Sequence, residues 1–399
     1  MLLYIDPGTG SMLFTILIGV ISAGIYGIKG LFMKMKYSSS KDKVKDNADI
    51  IPYVIFSDSK RYWNTFKSIC DEFESRNINL TYYTMSEDDP ALSEDYKYIK
   101  AEFIGNGNGA FAKMNFLKAN VVLSTTPGLD VYQWKRSKDV KYYIHIPHMI
   151  DDISGYRMFG IDYYDAILFS GTHQESILRK LEQIRNLPPK DTKVVGLPYF
   201  DDLYVKLQNA TKVKNEKPLI LLAPSWGPSS ILNRYGSKAI DALLSTGYKI
   251  VVRPHPQSKT SEKDMLDNLM SKYPDLEWNF DNDNFDILNK ADLLISDFSG
   301  VIFDFALVFG KPVIYADTSF DKSPYDAWWL DEEMWKFKVL PLLGKQLKEE
   351  DLNNIKQLLD ECLSSQSIKE NIEKVKDECW VNRGNSAKYI VDYMIEVNK

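Results

Sequence analysis

The stretch Leu293-Leu294-Ile295-Ser296-Asp297-Phe298-Ser299-Gly300-Val301-Ile302-Phe303-Asp304-Phe305-Ala306 decides the fold. A short apolar run ends at Ser296 and reads as a strand buried on both faces, as in a parallel sheet. A helix then starts near Ser299, with Gly300 in its first turn. It is apolar almost all round, so the protein covers it on every side. Asp304 sits inside that helix, where a carboxylate is costly unless paired or hydrogen-bonded. A ribose diol or an internal Arg would each serve. The helix start presents free N–H groups and the positive end of the helix dipole, a ready phosphate site to which Ser299 adds a hydroxyl. Ser299 is equally explained as a plain N-cap.

The same alternation extends outward in both directions. Residues 219–223, 249–252 and 313–315 read as further strands, with helices over 237–244, 261–272 and 301–309. Before the polar segment 206–217, strands are expected at 53–56, 80–83, 121–124, 142–146 and 166–169, with 194–198 as one more. Helices are expected at 61–75 and 110–118. Alternating strands and helices make parallel sheets covered on both faces. The expected fold is therefore α/β, with two Rossmann-like doubly wound domains, 50–205 and 215–345. Beyond 347 the chain reads as helix only, ending in 387–397, so 346–399 is taken as C-terminal helices. Two such domains leave a cleft at the carboxyl ends of their strands.

The N-terminus carries a membrane signal. No charged residue occurs from Pro7 to Ile28, and a spanning helix needs about 20 predominantly apolar residues. A cleaved signal peptide wants positive charge ahead of its apolar run, and here only Asp6 precedes it. Residues 1–36 are read as a retained anchor and 37–49 as a basic linker. Lys29, Lys34, Lys36, Lys41, Lys43 and Lys45 follow the run, so the C-terminal part is expected in the cytoplasm.

Four histidines bound the choice of an imidazole catalyst. His255 lies in Arg253-Pro254-His255-Pro256 after the strand 249–252, held by two prolines. Arg253 and His255 there suit a pyrophosphate, and His255 is counted with His148 in the expected catalytic set. His145 and His148 lie in His145-Ile146-Pro147-His148. His145 is within the apolar strand and reads as a packed core residue. His148 is past the strand end and is the candidate general base. His173 has a structural reading, because Thr172 and Glu175 match a capping box. Gly105-Asn106-Gly107-Asn108-Gly109 lacks the full dinucleotide spacing and reads as a flexible turn. A net charge of −6 argues against a nucleic-acid-binding protein. Cys70, Cys362 and Cys379 have no zinc spacing. Neither a Walker A sequence nor H-E-x-x-H is present.

Ala223-Pro224-Ser225-Trp226, Arg253-Pro254-His255-Pro256, Ser296-Asp297-Phe298-Ser299 with Val301-Ile302-Phe303-Asp304, and Gly310-Lys311-Pro312 together resemble the CDP-glycerol glycerophosphotransferase family of teichoic-acid-type polymerases and primases. Thr125-Thr126-Pro127-Gly128-Leu129-Asp130 and the run from His148 through Tyr156 to Gly171 resemble one branch of it. Many members carry a Trp-His-Gly segment with the proposed base; the nearest equivalent here is Ile146-Pro147-His148. The resemblance implies a GT-B arrangement, with an acceptor-side first domain and a CDP-polyol-binding second domain. It puts His255 on the donor's phosphates, Ser299 and Gly300 on the pyrophosphate, and Asp304 on the nucleotide side. Ser225, Ser296 and Asp297, within the same motifs, join the expected substrate-binding set. The implied partners are CDP-glycerol or a related CDP-polyol, a lipid-linked saccharide acceptor and the membrane. No cofactor or metal is called for, since Arg253, His255 and the helix start supply positive charge. A nucleotide-sugar glycosyltransferase and an inactive membrane scaffold of an envelope assembly complex are the alternatives.

Overall fold

The computed structural model describes residues 50–211, 213–281, 283–297, 299–316 and 320–399, together with Val20 and Gly24. The expected anchor at 7–28 therefore lies outside the described residues, except for those two. Among the described residues no helix is long and apolar enough to cross a membrane.

The first sheet has seven parallel strands: β1 (Ile51–Ser57), β2 (Leu80–Thr84), β3 (Ile99–Phe103), β4 (Ala119–Ser124), β5 (Val140–His145), β6 (Ala166–Phe169) and β7 (Asp191–Val194). Their order is β3-β2-β1-β4-β5-β6-β7. The second has six: β8 (Leu219–Leu222), β9 (Lys249–Val252), β10 (Glu277–Trp278), β11 (Leu293–Ser296), β12 (Val313–Ala316) and β13 (Gly344–Leu347). These run in the order β10-β9-β8-β11-β12-β13. Every residue of β6, β8 and β11 is buried, as unbroken apolar runs require when helices cover both faces. In each sheet the chain winds outward, then returns beside its first strand. That reversal falls between β1 and β4 in one sheet and between β8 and β11 in the other. Ligands of doubly wound sheets bind outside the carboxyl ends of the strands at such reversals.

Several boundaries differ from expectation. The segment 194–198 is not a strand: β7 ends at Val194, and Pro198 opens the helix Pro198–Asn209. That helix runs through the first residues of the expected linker, and Phe200 and Leu203 pack in the second domain's core. The strands β3, β10 and β13 were not anticipated. β10 has two residues, and β3 and β13 are half-polar edge strands, so none shows a buried-strand pattern. The C-terminal helices do not form one unit. Ile355–Ser364 and Gln366–Cys379 pack on the second sheet through Leu359, Cys362, Ile372 and Val375. The last helix, Ser386–Val397, returns to the first sheet and buries Ile390, Val391, Tyr393 and Met394 there.

Two chain crossings thus join the domains side by side. Asp201 binds both: its carboxylate accepts from Trp380 Nε1 at 2.8 Å and from Ser386 N at 3.0 Å. Gly196 lies where the crossings meet, at φ +101°, and a Cβ there would stand 2.3 Å from Ser386 Oγ. Only glycine suits both that backbone and that approach.

Candidate active site

At the reversal in the first sheet, Ser124 Oγ donates to Phe56 O at 2.7 Å and accepts from Thr126 N at 3.1 Å, joining the ends of β1 and β4. Thr125 is thereby held at the sheet's edge, and its Oγ1 lies 2.9 Å from His148 Nδ1. Pro147 carries the chain out of β5, so His148 stands at the carboxyl end of the sheet. Its ring packs on Tyr62, with centroids 4.6 Å apart. Nε2 has no protein partner among the described residues. Burial, reinforced by the Arg61 guanidinium, lowers the His148 pKa to about 4, so the imidazole is neutral at pH 7.

His145 is fully buried, with Nε2 3.0 Å from Tyr156 Oη and its ring between Tyr156 and Tyr164. Burial lowers its pKa to about 3.

His173 differs from expectation. Its helix, His173–Arg185, has no side-chain cap at Thr172, which is itself helical. Glu175 turns instead to Thr192 Oγ1 at 2.7 Å and to Arg179, so the capping box does not form. The His173 ring is buried against Trp335 of the second domain, and its Nε2 meets Ile150 O at 2.8 Å. It braces the loop that carries His148.

In the second domain, Asp297 follows β11 and spends both oxygens on the loop after β8. Oδ2 accepts from Ser225 N and Ser225 Oγ, each at 2.6 Å, and Oδ1 accepts from Ile231 N at 3.0 Å. Ser296 Oγ donates to Ala223 O at 2.7 Å. These three side chains fix the two loops at the reversal to each other. Ser299 and Gly300 then lead into one α turn, Val301–Phe303, which continues as a π-helix, Asp304–Val308. The expected regular helix is therefore wound more loosely at Asp304, a distortion frequent at functional sites. The cap position falls on Gly300, which has no side chain to offer, so the expected Ser299 N-cap is displaced by one residue. A Cβ on Gly300 would meet no atom within 4 Å, so the backbone there is open to a ligand. Asp304 Oδ2 accepts from Tyr199 Oη at 3.1 Å, and burial raises the Asp304 pKa to about 7.

The two loop sets face each other across a cavity of about 530 Å³. His148 and Asp151 line it from the first domain; Ser299, Gly300, Asp304 and Lys336 line it from the second. Tyr199 and Asn284 complete one side. Lys336 Nζ lies 3.4 Å from Asp151, an ion pair across the domain boundary. Neighbouring Asp152 accepts from Trp335 N at 2.5 Å, capping the helix Trp335–Leu343. Arg253 and His255 do not line this cavity. Arg253 donates to Asn279 and, at 2.8 Å, to Asp281 O. His255 Nδ1 accepts from Gln257 N at 3.1 Å, and its ring faces Trp226. Thr125, Asp151, Tyr199, Asn284 and Lys336 had no role in the sequence reading. The last four reach the cavity from separate stretches of chain, while Thr125 stands behind His148, and their order along the chain carries no sign of that meeting.

Residues 160–395 match the model of the CDP-glycerol:poly(glycerophosphate) glycerophosphotransferase family. Over 245 residues the chain is 26% identical to the teichoic acid glycerol-phosphate primase of Bacillus spizizenii, covering 58% of each protein. It therefore spans under two thirds of that relative's length. The wall teichoic acid polymerase TagF, in a substituted form soaked with CDPG, shares the fold at a TM-score of 0.59 and 17% identity, over 96% of this chain and 98% of that one. A UDP-GlcNAc 2-epimerase from Neisseria meningitidis shares it at 0.55 and 14% identity, over 87% and 100%. The family match covers more than half of the chain, starting within the first domain and ending in the helix that returns to it, so this protein belongs to the CDP-glycerol:poly(glycerophosphate) glycerophosphotransferase family.

Proposed function

We propose that this protein transfers glycerol phosphate, or another polyol phosphate, from a CDP-activated donor to a hydroxyl of a lipid-linked acceptor, in the synthesis of a cell-envelope polymer. The observation that carries this reading is the cavity in which a neutral His148 faces an open, phosphate-suited helix start. The acceptor oxygen forms a bond to the polyol-side phosphorus. The bond from that phosphorus to the bridging oxygen breaks, and its electron pair leaves with CMP. With Nδ1–H donating to Thr125 Oγ1, the His148 lone pair is on Nε2, which takes the hydroxyl proton. The N–H groups at Ser299 and Gly300 and the ammonium of Lys336 stabilise charge on the phosphates. Arg253 and His255 meet the donor where it extends beyond the cavity. Ser225, Ser296 and Asp297 hold the loop that presents Ser299 and Gly300. Asp304, with Tyr199, offers a donor–acceptor pair to a hydroxyl.

The names of the relatives support the donor class: one is a glycerol-phosphate primase and one a wall teichoic acid polymerase soaked with CDPG. The uncharged run 7–28 and the lysines after it support a single-pass anchor in the cell membrane, with the catalytic part in the cytoplasm. The test is to incubate the purified full chain with CDP-glycerol and a lipid-linked disaccharide and follow CMP release. Turnover of UDP- or GDP-sugars without turnover of CDP-polyols would replace this reading with glycosyl transfer.

A further inference from the structure

We propose that a second cavity between the domains seats the acceptor's head group, and that it selects a neutral, polyhydroxylated group over a chain already carrying phosphates. This rests on the transfer reaction proposed above. The cavity, about 660 Å³, lies between the helices Trp63–Ser75 and Pro198–Asn209. It shares Tyr199 and Asn284 with the cavity of His148. A ligand held there adjoins the reaction site at Tyr199, whose hydroxyl points to Asp304.

The walls suit hydroxyl groups. Asn64 and Asn284 supply donors and acceptors, the carboxylates supply acceptors, and Tyr199 supplies an aromatic ring. Their charge disfavours an anion. Two lysines stand against three aspartates. Lys67 is held by Asp71 at 2.8 Å, and Lys206 by Asp283 at 2.5 Å. Both cations are thus already engaged, and Asp202 leaves the wall net negative. Burial, with Asp201 and Asp71 nearby, pushes Asp202 up to about 6, so it still carries its charge at pH 7.5. A phosphodiester entering the cavity would meet Asp202 as a like charge with no unpaired lysine among the described lining residues, whereas a neutral saccharide would meet no repulsion. The protein that follows from this adds a first unit to a fresh acceptor and does not extend a chain.

The experiment compares two acceptors on the same short alkyl chain: a disaccharide, and that disaccharide already bearing glycerol phosphates. CMP release by the full chain in detergent should favour the neutral acceptor by roughly tenfold or more in kcat/KM. Asp202→Asn should narrow the preference and Asp202→Lys should abolish or invert it, both leaving the Kd for CDP-glycerol unchanged by calorimetry. Equal or better use of the phosphate-bearing acceptor by the wild type overturns the proposal. So does an Asp202→Lys variant that keeps the wild-type preference. If neither acceptor releases CMP, calorimetry decides. Failure to bind the neutral disaccharide sinks this proposal, whereas failure to bind CDP-glycerol sinks the transfer reading itself.

Discussion

Two residues separate His145 from His148, yet one is packed between tyrosines and the other lines a cavity. Replacing His148 by Ala should leave CDP-glycerol affinity near normal and lower turnover by roughly 10²–10⁴-fold. His145→Ala should lower the melting temperature first, with activity following the folded fraction. Turnover lost in a stably folded His145→Ala, with His148→Ala active, would reverse these roles. His173→Ala joins His145→Ala in costing stability, because its ring is wedged against Trp335. The acid limb of the rate profile should fall near the lowered pKa of His148, about 4, and not near the free imidazole value. Asp304 titrates in the opposite sense. Its folded pKa is raised to about 7, so between the unfolded value and 7 the native state binds more protons, and stability falls as pH rises through that window. Asp304→Asn should therefore melt relatively higher than wild type at pH 8, and the gain should vanish at pH 4. A pH-independent difference would show that burial of this carboxylate is not what shifts it. At this scale the sequence revealed which imidazole leaves the sheet, because Pro147 ends the strand. It did not reveal Thr125 or Tyr199 as partners, since those hydrogen bonds exist only once distant segments are packed.

The strands that were legible were those buried on both faces. β6, β9 and β11 carry unbroken or nearly unbroken apolar runs, and such runs exist for a physical reason, helices on both sides. The edge strands β3 and β13 are half exposed and gave no such signal. The turn from β11 into the helix was legible too, but its π winding at Asp304 was not: an i→i+5 ladder leaves no distinct residue pattern. Helix starts proved hardest, because the capping group often comes from elsewhere. The helix Trp335–Leu343 takes its cap from Asp152, in the other domain. Asp152→Ala should leave that buried N–H unsatisfied and cost about 1–3 kcal/mol in a urea melt. It should also raise the Kd for CDP-glycerol, since Lys336 follows Trp335 directly. An unchanged melt would mean that water replaces the cap.

Across the whole molecule the domains are fastened at more than the crossings. Arg185 is nearly buried between Asp162 of its own domain, at 2.7 Å, and Asp326 of the other. Asp326 also accepts from Phe159 N at 2.9 Å. Removing one member strands a buried charge, so Arg185→Met should cost about 3–5 kcal/mol. The pair Arg185→Met with Asp326→Asn should recover most of it in equilibrium denaturation; additive losses would show that the charges are not coupled. The halves themselves were legible, because the polar segment 206–217 separates two sets of apolar strands, although its first residues belong to the helix Pro198–Asn209. The return of the final helix was not, since Ile390, Val391 and Met394 make an apolar stripe that would suit either sheet. That return has a practical meaning for anyone dissecting the protein. A gene fragment ending before the second sheet would produce a first domain stripped of the helix that seals Phe66, Phe73 and Ile69 from water, and it would stick to itself. The first domain is one body in space but two pieces on the chromosome. To be made alone, it needs its distant tail grafted back, by a short bridge from residue 197 to residue 386 that leaves the second domain out.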